Sequence, residues 1–175
     1  MAQTGAEPAR AQQEFTGGDF RSAVGAFATG VTVITTQGEA EAYGMTANAF
    51  SSVSLDPPLV LICVISGTTG AETIEQNGVF AVNVLGAHQE PISRFFSSRD
   101  RPSGGSAFAK VPHFTAVTGS PIIERAAAYL DCRLDAAHES GDHVIFIGEV
   151  VALGVDKGIP PLLFHHGGYS VLGES

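Results

Sequence analysis

The sequence predicts a mostly β chain with short peripheral helices, folded as an antiparallel β-barrel. Three observations carry this expectation. Six or more segments are rich in β-branched or alternating apolar residues, the helical patterns between them are short, and no βαβ rhythm runs along the chain. With 175 residues and 44% hydrophobic content, the length suits one domain and the composition a packed globule rather than a disordered chain.

The elements follow in order. Residues 1–18 are rich in Ala, Gln and Glu without amphipathic pattern and read as a flexible N-terminal tail, leaving 19–175 as the domain. Asp19 is the expected N-cap of a short helix whose Phe20, Ala23, Val24 and Phe27 fall at i, i+3, i+4 and i+7, with Gly30 as its stop. Six β-branched residues in a row, Val31-Thr32-Val33-Ile34-Thr35-Thr36, form a strand, and the polar residues 37–42 turn it back. Residues 44–58 are crowded with small and hydroxyl-bearing side chains and read as a loop ending at Pro57-Pro58, a pair excluded from the interior of a central strand. The seven apolar residues 59–65 then read as a strand buried on both faces.

Ser66-Gly67-Thr68-Thr69-Gly70 is a second hydroxylated loop at the end of that strand, and residues 71–77 a short helix stopped by Gly78. Residues 79–85 are a strand, 88–96 a helix around Ile92, Phe95 and Phe96, and 97–106 a polar, Gly-rich loop holding Arg99 and Arg101. Leu130, Cys132 and Leu134 alternate with Asp131, Arg133 and Asp135, which predicts a strand with one wet face. After a turn at Gly141-Asp142, residues 143–153 form a long strand, and Leu162-Leu163-Phe164 and Tyr169-Ser170-Val171-Leu172 close the chain.

The formal charge of −9 repels phosphate backbones and anionic lipid, so neither nucleic acid nor membrane is expected as a partner. A nucleotide-sized ligand in a locally basic pocket stays open, and the Arg94, Arg99 and Arg101 cluster suggests a phosphate. Cys63 and Cys132 lie in apolar strands without CxxC spacing, which fits free thiols in a reducing cytoplasm. The N-terminal segment lacks a signal-peptide pattern, and no apolar run reaches the length of a bilayer span; the expected location is cytoplasmic.

Several catalytic motifs are missing from the sequence. It carries no GxGxxG, no GxxxxGK[ST] and no GxSxG. The histidines at 88, 113, 138, 143, 165 and 166 form no HExxH, and the adjacent His165 and His166 are expected on opposite faces of a strand, so no metal site is expected. Hydrolysis or acyl transfer needs a nucleophile, a base and an orienter. Hydride transfer between two bound cofactors needs only stacking, orientation and a few hydrogen bonds. A barrel with hydroxyl-rich loops suits that chemistry, and it suits passive binding equally.

Phe20-Arg21-Ser22-Ala23-Val24-Gly25-Ala26-Phe27-Ala28-Thr29-Gly30-Val31-Thr32-Val33-Ile34-Thr35, the 44–58 stretch, Phe80-Ala81-Val82-Asn83-Val84-Leu85, Gly141-Asp142-His143 and Gly148-Glu149-Val150 occur in an order that resembles the short-chain flavin reductases, the small components of two-component flavin monooxygenases. The resemblance covers residues 20–172. It implies a split antiparallel β-barrel (FMN-binding split barrel), a homodimer with flavin near the subunit interface, and NADH (less often NADPH) as reductant. Reduced flavin, FAD or FMN, then passes to a partner monooxygenase. Carried onto matching positions, Met45, Thr46, Ala47, Asn48 and Ala49 would line the isoalloxazine. Ser51, Ser52, Ser66, Thr68 and Thr69 would reach the ribityl chain or phosphate. Cys63 and Val64 would lie against the rings, Arg94 and Phe95 would flank the flavin tail, His143 would orient the nicotinamide nucleotide, and Tyr169 would lie in the covering segment.

The residues themselves leave other roles open: Thr46 and Asn48 as turn caps, Cys63 as core. Ala49 stands where many relatives carry serine, and the 101–108 loop lacks their Asp-Lys-Phe-like segment, so Arg99 or Arg101 would substitute for a lysine. The open loop at 97–106 leaves room for an adenylate and favours FAD. Two rival readings are a non-catalytic flavin carrier and a self-contained FMN oxidase of the pyridoxamine-phosphate type.

Overall fold

The structure, a computed structural model, describes residues 14–173, so most of the expected tail, 1–13, lies outside the described residues. Helix α1 (Gly17–Gly25) is capped by Thr16 and not by Asp19. Asp19 instead occupies the third helical position of a capping box: its carboxylate accepts from the Thr16 N–H at 2.8 Å, and its own N–H donates to Thr16 Oγ1 at 3.2 Å. Satisfying these end groups lets Gly17 and Gly18 enter the helix despite their poor propensity. The helix ends at Ala26, while Gly30 belongs to β1 (Thr29–Gly30). Its apolar side is uncovered within the chain, with Phe20 58% and Phe27 76% exposed.

The remaining elements are β2 (Thr32–Thr36), β3 (Tyr43–Ala47), β4 (Phe50–Leu55), β5 (Pro58–Ile65), α2 (Thr69–Asn77), β6 (Val79–Val84), α3 (Glu90–Ser97), β7 (His113–Thr115), β8 (Pro121–Ile123), β9 (Ala128–Ser140), β10 (His143–Val155), β11 (Leu162–His165) and β12 (Gly168–Val171). Seven strands form one antiparallel sheet in the order β3-β2-β6-β9-β10-β5-β4. Its edge strands, β3 and β4, are consecutive in sequence and joined only by Asn48 and Ala49. The edges of a flat sheet of this width would stand about 29 Å apart at the usual inter-strand spacing. A two-residue link reaches only about 10 Å. The sheet therefore curls into a barrel whose seam, between β3 and β4, carries no ladder. This is the split antiparallel barrel expected from the sequence.

The 44–58 stretch is thus two strands and a link rather than a loop; its threonine and edge-strand serines tolerate extended backbone. The unbroken β-branched run of β2 is explained by burial on both faces. Ile34 enters the barrel core with Ile62, Val64, Phe80, Val82, Val144 and Phe146. Val31 and Val33 join a second core outside it with Leu85, Phe96, Phe108, Ile123 and Leu162. Strand β5 departs from expectation: Val60, Ile62 and Val64 are buried, but Leu59, Leu61 and Cys63 are only half-buried and Ile65 is exposed. One face of β5 meets the core and the other does not.

Asp131 also departs from the expected wet face and is fully buried. Register shifts in the β9–β10 ladder re-aim the side chains of this strand. Its carboxylate accepts from the Val117 and Thr118 N–H groups at 2.8 Å each and from the Thr118 hydroxyl. His165 and His166 do not face apart: His166 has left the strand at φ 47°, and the two rings lie 4.0 Å apart. Among the described residues no cluster of three metal-ligating side chains occurs, and no helix is long and apolar enough to cross a membrane.

Candidate active site

The chain crosses the seam at Asn48 and Ala49, where β3 ends and the far end of β5 arrives. The Cys63 N–H donates to the Ala49 carbonyl at 3.1 Å, which fixes this corner. A cleft of about 670 Å³ opens there, within the size range of small-molecule sites. It gathers Met45, Thr46, Ala47, Asn48 and Ala49 from β3 and the link, Cys63 and Val64 from β5, Thr68 and Thr69 from the start of α2, and His143 from the start of β10. Residues 63–65 pair with 143–145 in the β5–β10 ladder, which is why His143 reaches the same corner.

The polar groups are oriented. Thr46 Oγ1 donates to the Ser93 carbonyl at 2.6 Å, and Asn48 Nδ2 to Thr29 Oγ1 at 3.2 Å. Thr68 is the N-cap of α2: its hydroxyl accepts from the Ala71 N–H at 3.4 Å and donates to the Ile65 carbonyl at 2.7 Å. His143 Nδ1 lies 2.7 Å from Asp142 Oδ1, and this contact holds the Asp142 carboxyl below its usual 3.8. With Nδ1 engaged, the Nε2 edge of the ring is the one left for a ligand. Burial pushes the Cys63 thiol up, so it enters the cleft wall as a neutral group.

Ser51, Ser52, Ser66, Arg94, Phe95 and Tyr169 do not line this cleft. Strand β4 pairs antiparallel to β5, Ser51 against Leu61 and Ser52 against Val60, and so runs away from the cleft end of β5. Ser66 is engaged through its N–H with the Asp142 carbonyl at 3.0 Å. Arg94 pairs with Glu90 at 2.7 Å and stacks 4.8 Å over the Tyr169 ring, and Phe95 packs edge-on to Phe96. Tyr169 borders a neighbouring recess of about 180 Å³ that shares Thr46, Ala47, Asn48 and Ser97 with the cleft. Its hydroxyl lies 2.8 Å from the Oγ of Ser93, the residue whose carbonyl holds Thr46.

Tyr43, Ile65, Gly67, Phe96 and Ser97 line the cleft without having been assigned to a site from the sequence, and Arg99 and Arg101, two members of the basic cluster noted there, line it too. Tyr43 lies two residues before Met45, so strand periodicity would have found it once 43–47 was read as a strand. The contribution of Phe96 was not readable in this way, because it is otherwise a core residue, 1% exposed.

The cleft suits a flat, mostly apolar ring system with a polar edge and an anionic tail. Met45, Val64, Ile65 and Phe96 supply faces, Thr46 and Asn48 supply polar atoms, and Arg99 and Arg101 lie at one end. Comparison with known proteins agrees with this chemistry. The chain is 38% identical over 151 residues, 86% of its length and 75% of the relative's, to the reductase subunit HsaB of a flavin-dependent monooxygenase from Rhodococcus jostii. It is 46% identical over 132 residues, 75% of its length and 72% of the relative's, to an NADH-dependent FAD reductase from Streptomyces globisporus. The solved structure of the NADH:FAD oxidoreductase SgcE6 from Streptomyces globisporus superposes with a TM-score of 0.86 at 38% identity, covering 96% of this chain and all of that one. Residues 24–173 match the pattern of the flavin reductase like domain, and the chain belongs to that family.

Proposed function

We propose that this protein is an NADH-dependent flavin reductase that takes FAD or FMN, and releases the reduced flavin to a separate flavin-dependent monooxygenase. The observation that carries the reading is the seam cleft. One opening brings an apolar slot, a row of oriented polar groups, a histidine and two arginines together, in a chain whose relatives bear the names of NADH-dependent flavin reductases.

When both substrates are bound, hydride leaves the nicotinamide for the flavin ring and a proton from water completes its reduction. No side-chain base is required. The chain's residues bind and orient. Val64, Ile65, Met45 and Phe96 exclude water from the ring faces, and Thr46 and Asn48, held by Ser93 and Thr29, present fixed polar atoms. His143, steadied by Asp142, orients the nicotinamide nucleotide. Such fixed positioning lowers the orientational cost of bringing two reactants together.

The protein works as a cytoplasmic homodimer, with neither nucleic acid nor membrane as partner. Dimerisation is supported by apolar side chains the monomer leaves in water, Leu55 at 95%, Val155 at 66% and Phe27 at 76% exposure. The net charge of −9 supports the exclusion of anionic polymers and bilayers.

The test is NADH oxidation by the purified chain, followed by absorbance while FAD and FMN are titrated in parallel. Saturable turnover dependent on added flavin is expected. Flavin binding without turnover would refute the reductase and leave a carrier. Yellow protein that keeps its flavin through dialysis would point to a self-contained oxidase.

A further inference from the structure

The hydroxyl groups of the cleft are not equally free to donate. Thr46 Oγ1 has given its hydrogen to the Ser93 carbonyl at 2.6 Å, and Ser97 Oγ has given its own to the Arg94 carbonyl at 2.9 Å. Thr68 donates to the Ile65 carbonyl and also accepts from the Ala71 N–H. The Tyr43 hydroxyl, by contrast, accepts from Arg101 Nη2 at 2.7 Å and keeps its hydrogen. A serine or threonine hydroxyl has one hydrogen and two lone pairs. Thr46 and Ser97 therefore meet a ligand as acceptors alone.

These two residues stand together. Thr46, Ala47, Asn48 and Ser97 form the wall shared by the cleft and the recess beside it. Apart from the Asn48 amide, no side chain of that wall has a hydrogen left to donate. Asn48 uses one N–H on Thr29 Oγ1 and retains the other.

The direction of the Thr46 hydroxyl is set from behind. Its acceptor Ser93 is fully buried in α3. The Ser93 hydroxyl lies 2.8 Å from that of Tyr169, whose ring is held beneath Arg94 at 4.8 Å and against Phe164 at 5.4 Å. An edge strand, a helix and the C-terminal hairpin thus converge on Ser93. Turning the Thr46 hydrogen towards a ligand gives up a bond to a buried carbonyl, which is costly, and the branched side chain has few alternative rotamers.

We propose that Thr46 accepts a hydrogen bond from the imide N–H at N3 of the flavin ring, with Ser93 as the positioning residue that reserves its lone pairs for this contact. The proposal rests on the flavin reductase reading of the cleft. An oxidised isoalloxazine bears a single ring N–H, at N3, and the other heteroatoms of its polar edge are acceptors. A wall of hydroxyl acceptors matches only that atom, and the remaining Asn48 N–H suits an adjoining carbonyl. The N3 hydrogen is present in oxidised and reduced flavin alike, so the contact orients the ring without favouring either state. That suits a protein that must release its product.

The experiment is fluorescence titration of the full chain with FMN, 3-methyl-FMN and NAD⁺, for the wild type, Thr46→Val and Thr46→Ser. The wild type should bind FMN more tightly than 3-methyl-FMN by about tenfold or more. Thr46→Val, which fills the same space without the lone pairs, should weaken FMN by about tenfold and change 3-methyl-FMN by less than about threefold. Thr46→Ser keeps the oxygen and should restore the preference. In the wild type, NMR of bound ¹⁵N-labelled FMN should show the N3 hydrogen exchanging with water more slowly than in free FMN, a readout that needs no variant to fold.

Equal affinity of the wild type for FMN and 3-methyl-FMN overturns the proposal and leaves the flavin reading standing. A preference undiminished in Thr46→Val also overturns it, because valine excludes an N-methyl group as well as threonine does. So does an N3 hydrogen that exchanges as in free FMN. If Thr46→Val weakens NAD⁺ and not FMN, the N–H that Thr46 meets belongs to the nicotinamide carboxamide, and the proposal falls. A wild type that binds no flavin overturns the flavin reading and this proposal with it.

Discussion

Replacing Gly44 by alanine should destabilise the protein and weaken flavin binding through a single ring. A Cβ at this position would stand 2.6 Å from Phe96 Cε1 and 3.0 Å from Phe108 Cζ. Carbon pairs settle at about 3.5–4.0 Å, so the Phe96 ring has to retreat by about 1 Å. It has little room, being 1% exposed, edge-on to Phe95 at 5.1 Å and tilted on Phe108 at 5.3 Å. The free side is the cleft, whose wall Phe96 forms.

Overpacking of this kind costs about 1–3 kcal/mol. For a domain of this size about 2 kcal/mol corresponds to a Tm lower by roughly 4–8 °C. Thermal melts followed by circular dichroism measure the first effect, and FAD titration by fluorescence quenching the second. The mechanism has its own check in the double variant Gly44→Ala/Phe96→Leu. A smaller side chain at 96 relieves the clash, so the two changes should be less costly together than their sum by at least about 1 kcal/mol. An unchanged Tm for Gly44→Ala, or strictly additive costs, would refute the reasoning.

His143→Ala should raise the KM for NADH far more than it weakens flavin affinity; the reverse pattern in steady-state kinetics and flavin titration removes the assigned role. The folded pKa of Asp142 is lowered, so its contact with His143 is present at pH values above about the ordinary 3.8 and is lost as pH falls through the depressed value, which chemical shifts of the His143 ring would report. Asp131→Ala removes the buried carboxylate that accepts from the Val117 and Thr118 N–H groups and should cost about 3 kcal/mol in urea unfolding. Burial and the neighbouring Asp131 charge push the Cys132 thiol up to about 12. Its raised value stabilises the fold below pH 9 and loses that contribution as pH rises towards 12. At pH 8 a thiol reagent should therefore modify only Cys63, slowly, and bound FAD should protect it; rapid modification of Cys132 in the native protein would contradict its burial.

Strands with their own chemical signature were legible in the sequence. The β-branched run of β2 and the apolar runs of β5, β6 and β10 announce themselves, because burial against a sheet selects such residues. Strand β4 was not, because a serine-rich edge strand has a neighbour on one side only and looks like a loop in composition. The buried state of Asp131 was hidden for a different reason: its partners, Val117 and Thr118, lie outside the strand, and a register shift decides which face it takes. The same division holds in the site. Residues 45–49, Cys63, Val64, Thr68, Thr69 and His143 share one cleft. Ser51 and Ser52 lie along β4 and off the cleft, a placement composition does not write because it depends on strand direction, and the Arg101–Tyr43 contact joins residues 58 apart in sequence.

The unladdered seam between β3 and β4 makes the barrel's circumference unequal in strength. Elsewhere, separating two strands requires breaking a row of backbone hydrogen bonds; across the seam it requires only the local corner at Asn48 and Ala49 to loosen. Amides at that corner should therefore exchange with solvent through a smaller opening than those of β6 or β9, which are paired on both sides. A ligand spanning the corner binds the closed barrel and not the opened one, and so adds its own binding free energy to the closure. The substrate becomes the missing rung of the ladder, and the protein closes most firmly while occupied and loosens at the same line when the product departs.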